Sequence, residues 1–88
     1  MNSNVYILLS LKHEKFYTVV SSNISKRIES HNLGLNKSTK NGIPWKLIWT
    51  SPAMERGESL KLERRIKKRG AKRFLSDINF DLNPGLRD

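Results

Sequence analysis

The sequence predicts a small α+β domain. Three short strand-like runs carry β-branched and aromatic residues, and the segments after the second and third runs repeat apolar residues at helical spacing. At 88 residues and 36% hydrophobic content, the chain can bury one thin core and no more. Residues 1–88 are therefore read as one domain, with the core over about 5–78 and an irregular C-terminal tail around Asn83-Pro84-Gly85.

Val5–Leu11 reads as the first strand and Phe16–Ser21 as the second. The polar segment Lys12-His13-Glu14-Lys15 is short enough to join them as an antiparallel hairpin. Tyr6 and Tyr17 then come near each other across it, in a register the sequence leaves open. Ser22 or Asn23 can cap the helix that follows, because either side chain accepts from a free backbone N–H. That helix runs to about Asn32. Ile24, Arg27, Ile28 and His31 share one of its faces, which places a cation and an imidazole beside the hairpin. Gly34, Asn36, Ser38, Thr39, Asn41, Gly42 and Pro44 mark a loop. Trp45–Thr50 reads as the third strand, with Trp45 and Trp49 flanking Leu47 and Ile48. A second helix runs from Arg56 or Glu58 to Lys68 and stops at Gly70. Leu62 and Ile66 form its buried stripe, with Glu63 at the edge. A short third helix spans Ala71 to Ile78.

Composition narrows the partners. Seventeen Lys and Arg against eight Asp and Glu give a net charge of +9. A field of that density attracts polyanions, nucleic acid first among them. Without cysteine there is no disulfide framework and no thiolate metal site, which fits a reducing, cytoplasmic setting. The apolar run Val5–Leu9 is too short to cross a membrane, and Met1-Asn2-Ser3-Asn4 lacks the basic region of a secretory leader. With His13 and His31 as the only histidines, a histidine-rich zinc site is excluded. No Gly-rich phosphate loop is present.

The residues able to carry chemistry each have an ordinary reading beside a catalytic one. Glu63 can pair with Lys67 at i, i+4, a contact worth tenths of a kcal/mol. It can equally hold Mg²⁺, which needs few protein ligands when phosphates and waters complete its shell. Arg27 can make a salt bridge, or present a planar fork to a phosphate that gains charge in a transition state. His31 can be a histidine at the core edge or a functional imidazole. Tyr6 and Tyr17 can be strand-packing aromatics. A phenol titrates near 10, so it is a poor base at neutral pH unless a neighbouring charge lowers that value.

Together these positions resemble the GIY-YIG nuclease domain, most closely the small single-domain bacterial members related to the N-terminal nuclease domain of the bacterial excision-repair endonuclease. Val5-Tyr6-Ile7-Leu8 matches the first motif, and Phe16-Tyr17-Thr18-Val19 lies at the second. Asn23 to Asn32 is similar to the arginine helix, Asn41 to Leu47 to the approach to the third strand, and Glu58 to Lys68 to the glutamate helix. A weaker echo lies in Asn83-Pro84. The resemblance implies a three-stranded antiparallel sheet flanked by helices. It also implies metal-dependent hydrolysis of DNA phosphodiesters, in repair, recombination or processing, with Mg²⁺ or Mn²⁺ as cofactor. On that basis Glu63 is the metal ligand, Arg27 stabilises the transition state, Tyr17 orients or deprotonates water, Tyr6 shares that network, and His31 contacts the site.

The chain departs from the family pattern at Val19, where the second motif ends in Gly. Its two methyls either narrow the substrate path or pack within the strand. The alternative function is therefore a catalytically impaired nucleic-acid-binding module of the same fold. In both readings Lys26, Lys37, Lys40, Lys67 and Lys68 are the candidate backbone contacts. The expected substrate is DNA, branched or single-stranded forms included, read by shape or through a protein partner that supplies specificity.

Overall fold

The computed structural model describes residues 2–80; the tail expectation at Asn83-Pro84-Gly85 lies outside them. Its elements are β1 (Asn2–Ser10), β2 (Phe16–Ser21), α1 (Ile24–Asn32), β3 (Trp45–Thr50), β4 (Met54–Glu55), α2 (Arg56–Arg69) and α3 (Ala71–Asp77), with one 3-10 turn at Lys40–Gly42. The strand order is β2-β1-β3, antiparallel, and the two-residue β4 also pairs with β1. The α+β class and the three-stranded antiparallel sheet match the expectation, with β4 as an addition.

β1 is buried on both faces, so its side chains feed two separate clusters. Val5 and Ile7 join Ile66 of α2 and Leu75 of α3, with Leu62 and Phe74 packed around them. Tyr6 and Leu8 join Val19 and Trp45, covered by Ile24 and Ile28 of α1. Alternation along the strand dictates this split.

β3 would place Trp45 and Trp49 on one face if it alternated strictly. It does not, because Ile7 pairs with Trp49 while Leu8 pairs with Leu47, leaving Ile48 as an extra residue. This bulge turns the strand and sends the tryptophans to opposite faces. Trp49 stacks edge-on against Phe74 at 5.2 Å, and Trp45 sits beside Tyr17 at 5.9 Å.

Two devices fix the loop that precedes β3. Asn32, the last residue of α1, clamps the Trp45 backbone: its amide donates to the Trp45 carbonyl at 3.1 Å, and the Trp45 N–H donates to Asn32 Oδ1 at 2.7 Å. Gly42 lies flush on the indole. A Cβ there would meet a Trp45 ring carbon at 2.5 Å, so no larger residue fits without displacement. At the other end of α1, the cap is Asn23, whose side chain accepts from the Lys26 N–H.

Candidate active site

The register decides how the tyrosines meet. Tyr6 pairs with Val19 and Leu8 pairs with Tyr17, so the phenols are diagonal neighbours on one face, not direct partners. α1 lowers His31 onto that face from the helical side. The His31 ring lies 5.9 Å from Tyr17 and 6.5 Å from Tyr6, edge-on to both. Tyr6 and His31 are fully buried.

Hydrogen bonds orient this pair. Tyr6 Oη is 3.4 Å from His31 Nε2, and His31 Nδ1 is 2.8 Å from Thr39 Oγ1. The Thr39 hydroxyl donates to the Asn36 carbonyl at 3.4 Å. With its proton committed, Thr39 accepts from Nδ1–H, and Nε2 is left with the lone pair that accepts from Tyr6. Burial and then the Arg27 charge lower the His31 pKa, so the ring is neutral, as this tautomer requires.

Tyr17 is held in the same manner from the same loop. Asn36 Oδ1 accepts from the Ser38 N–H at 3.0 Å and from the Ser38 hydroxyl at 2.7 Å. Ser38 Oγ, 3.1 Å from Tyr17 Oη, is therefore the acceptor for the phenol proton. The Tyr17 oxygen keeps its lone pairs for another partner. Asn36 thus orients both hydroxyls that back the tyrosine–histidine cluster, one through its main chain and one through its side chain.

Charge converges on Tyr6. Burial is the largest influence on it and raises its pKa; Arg27 opposes the rise, while Tyr17 and Glu63 add to it. Tyr6 is consequently a phenol at neutral pH and a proton donor, not a base. Arg27 and Glu63 both act on it electrostatically, while ring contacts join His31 to Tyr6 and Tyr17. Glu63 is 21% exposed, and its Oε2 is 3.4 Å from Lys67 Nζ. The ordinary i, i+4 pairing therefore exists, alongside an electrostatic influence on Tyr6. Lys26, Lys37, Lys40, Lys67 and Lys68 are all exposed.

Among the described residues, no group of three or more His, Cys, Asp or Glu side chains converges on a common point. A self-sufficient protein cage for a metal is therefore not what the donors offer. One partly exposed carboxylate in a site open to phosphate fits Mg²⁺ or Mn²⁺, which keep waters and accept substrate oxygens. It does not fit the closed nitrogen or sulfur set of structural zinc.

Sequence reasoning missed Asn36, Ser38 and Thr39 as parts of the site. Their residue types mark a loop, and nothing in their spacing points toward His31 or Tyr17. Only the fold brings them there.

Comparison with known proteins identifies a family for the chain. The family described as the GIY-YIG catalytic domain matches residues 2–76. Protein 242L of Invertebrate iridescent virus 6, named for its GIY-YIG domain, is 35% identical over 81 residues, covering 90% of this chain and 81% of the viral protein. No solved structure gives a significant match. Nuclease chemistry is the general activity that goes with this domain, and the chain belongs to the GIY-YIG family.

Proposed function

We propose that the protein is a divalent-metal-dependent endonuclease that hydrolyses DNA phosphodiester bonds. The observation that carries this reading is the buried Tyr6–His31 pair, with Tyr17 edge-on to the imidazole and with Arg27 and Glu63 both acting electrostatically on Tyr6. Glu63 is the residue that would hold the cation. When bound, the cation supplies Lewis acidity at the scissile phosphate.

The chain's own groups divide the remaining work. Arg27 presents a permanent positive fork to the phosphate oxygens whose charge grows as the bond breaks; loss of one such stabiliser typically slows an enzyme about 10²–10³-fold. Tyr17, with its proton directed at Ser38, offers oxygen lone pairs that orient an attacking water. Tyr6 donates to His31 and holds that ring, kept neutral by burial and Arg27, beside Tyr17. The exposed lysines track the flanking backbone.

Val19 is compatible with activity. It is 8% exposed and packed with Tyr6, Leu8 and Trp45. Its methyls fill the cluster beneath the tyrosine, which supports the packing role. We further assign the activity to DNA repair, recombination or processing in the cytoplasm, with a protein partner supplying specificity.

The test is cleavage of linear, nicked and branched DNA with Mg²⁺ or Mn²⁺, comparing the native protein with Glu63→Ala and Arg27→Ala. Cleavage that both variants abolish while their circular dichroism stays native supports the reading. Salt-sensitive DNA binding with every substrate left intact would replace it with the binding module.

A further inference from the structure

Next to the tyrosine–histidine cluster lies a second feature, most of whose lining the proposed chemistry does not use. A cleft of about 350 Å³ opens between the β1–β2 turn and the loop before β3. Its buried base includes Trp45, and exposed His13, Lys15 and Asn41 stand at its mouth. Tyr17 belongs to both the cleft and the candidate active site.

We propose that this cleft receives an unpaired nucleobase of the substrate strand, adjacent to the phosphate addressed by Tyr17. This rests on the nuclease reading for its position but not for its chemistry. The volume is in the range of small-ligand pockets. The partly exposed Tyr17 ring lines the cleft and gives π surface for a flat heterocycle, while the buried Trp45, 5.9 Å from it, backs the ring from the base of the cleft. The mouth is polar, and its groups are available. The Asn41 side-chain amide and the Lys15 ammonium have no partner among the described residues; Asn41 spends only its carbonyl, toward His13 Nε2 at 3.1 Å. An amide can read the donor–acceptor edge of a base, and the lysine can meet the phosphate of the same nucleotide. An aliphatic ligand would leave the amide and ammonium unused, and a simple anion would leave the rings unused. A base held in a duplex has its faces stacked and its edge paired, so the occupant must be extrahelical.

The consequence is preference for DNA with an unpaired nucleotide beside the cleaved bond. The test uses three DNA hairpins of equal length at one ionic strength, without divalent metal: one with a single bulged adenosine, one with an abasic bulge, and one fully paired. The bulged adenosine is expected to bind about 10-fold more tightly than the abasic bulge, the scale of one stacked base. It should also shift the Trp45 indole N–H and the Asn41 amide signals in the ¹H–¹⁵N spectrum. Asn41→Ala, at an exposed position, should reduce that preference while leaving the affinity for the paired hairpin within twofold, and Lys15→Ala should weaken the bulged hairpin more than the paired one. Equal affinity for the bulged and abasic hairpins, or an unmoved Trp45 signal, overturns the proposal. Cleavage assays with metal separate the two ideas. Base-dependent binding without cleavage defeats the nuclease reading alone, and cleavage indifferent to the base defeats the cleft alone.

Discussion

The two faces of β1 are built on opposite plans although they alternate along one strand. Val5 and Ile7 enter a closed aliphatic and aromatic cluster with Ile66 and Leu75, all fully buried. Tyr6 and Leu8 enter a cluster whose other members carry a phenol, an indole and, through α1, an imidazole. Burying polar groups costs free energy unless each finds a partner. The second face meets that condition: among the described residues, no buried side-chain nitrogen or oxygen lacks a hydrogen bond. The difference shows where stability and chemistry are separated. The closed face drives folding by removing apolar surface from water, and the other uses burial to fix proton positions.

The largest expected effect breaks the closed face. Ile66→Ala removes a fully buried side chain at the junction of β1, α2 and α3. It should cost about 2–5 kcal/mol, read as a lower urea midpoint with an unchanged denaturant slope. If Ile66 were replaceable for less than about 1 kcal/mol, the site-side cluster would have to be the main source of stability, and the two faces would not divide the work in this way.

On the other face the signature reverses. Arg27→Ala should lower the cleavage rate about 10²–10³-fold, equivalent to about 2.7–4 kcal/mol of transition-state stabilisation. Its unfolding free energy should move by less than about 1 kcal/mol, since Arg27 is only partly buried and belongs to neither apolar cluster. A large loss of stability with little change in cleavage would make Arg27 a packing residue.

Val19→Gly probes the seam between the two roles. Val19 faces Tyr6 across β1 and β2. Its removal leaves a void in the site-side cluster and loosens β2, with an expected cost of about 2 kcal/mol. Cleavage should stay level or fall as Tyr6 loses its support. A gain in cleavage would instead identify Val19 as an obstruction in the substrate path.

These contrasts also show what the chain discloses unaided. Helical periodicity placed Arg27 and His31 on the face that meets the hairpin, and the capping chemistry of Ser22 or Asn23, of which the fold uses Asn23, located the start of α1. Both are local properties, and both hold in the fold. The diagonal relation of Tyr6 to Tyr17 is not local. It depends on the β1–β2 register, which turns on how the hairpin closes. The Ile48 bulge is equally invisible in Trp45–Thr50, because it arises from pairing with β1. The most consequential residue outside the sequence reading is Asn36. An asparagine in a loop signals a turn, and its hold on Ser38 and Thr39 acquires meaning only where the chain brings those hydroxyls against Tyr17 and His31.

The smallest effect tests whether that hold on His31 is real. Burial, reinforced by Arg27, depresses the His31 pKa below its ordinary value near 6.5. The groups that meet the ring are Tyr6, Tyr17, Arg27 and Thr39, with no carboxylate among them to favour an imidazolium. The unfolded chain therefore takes up a proton at this residue before the folded one does. The stabilising contribution is complete above pH ~6.5 and is lost as pH falls toward and through the folded value, at no more than about 1.4 kcal/mol per pH unit for a single proton. Urea unfolding between pH 7.5 and 5 should show this decline in the native protein, and His31→Gln should flatten it. His13→Gln, at an exposed position, should keep it. Thr39→Val removes the acceptor for Nδ1–H and should shift the ring toward the other tautomer, visible in long-range ¹H–¹⁵N spectra. If Thr39→Val left the His31 tautomer unchanged, the loop would not be setting the proton on which the Tyr6 contact depends.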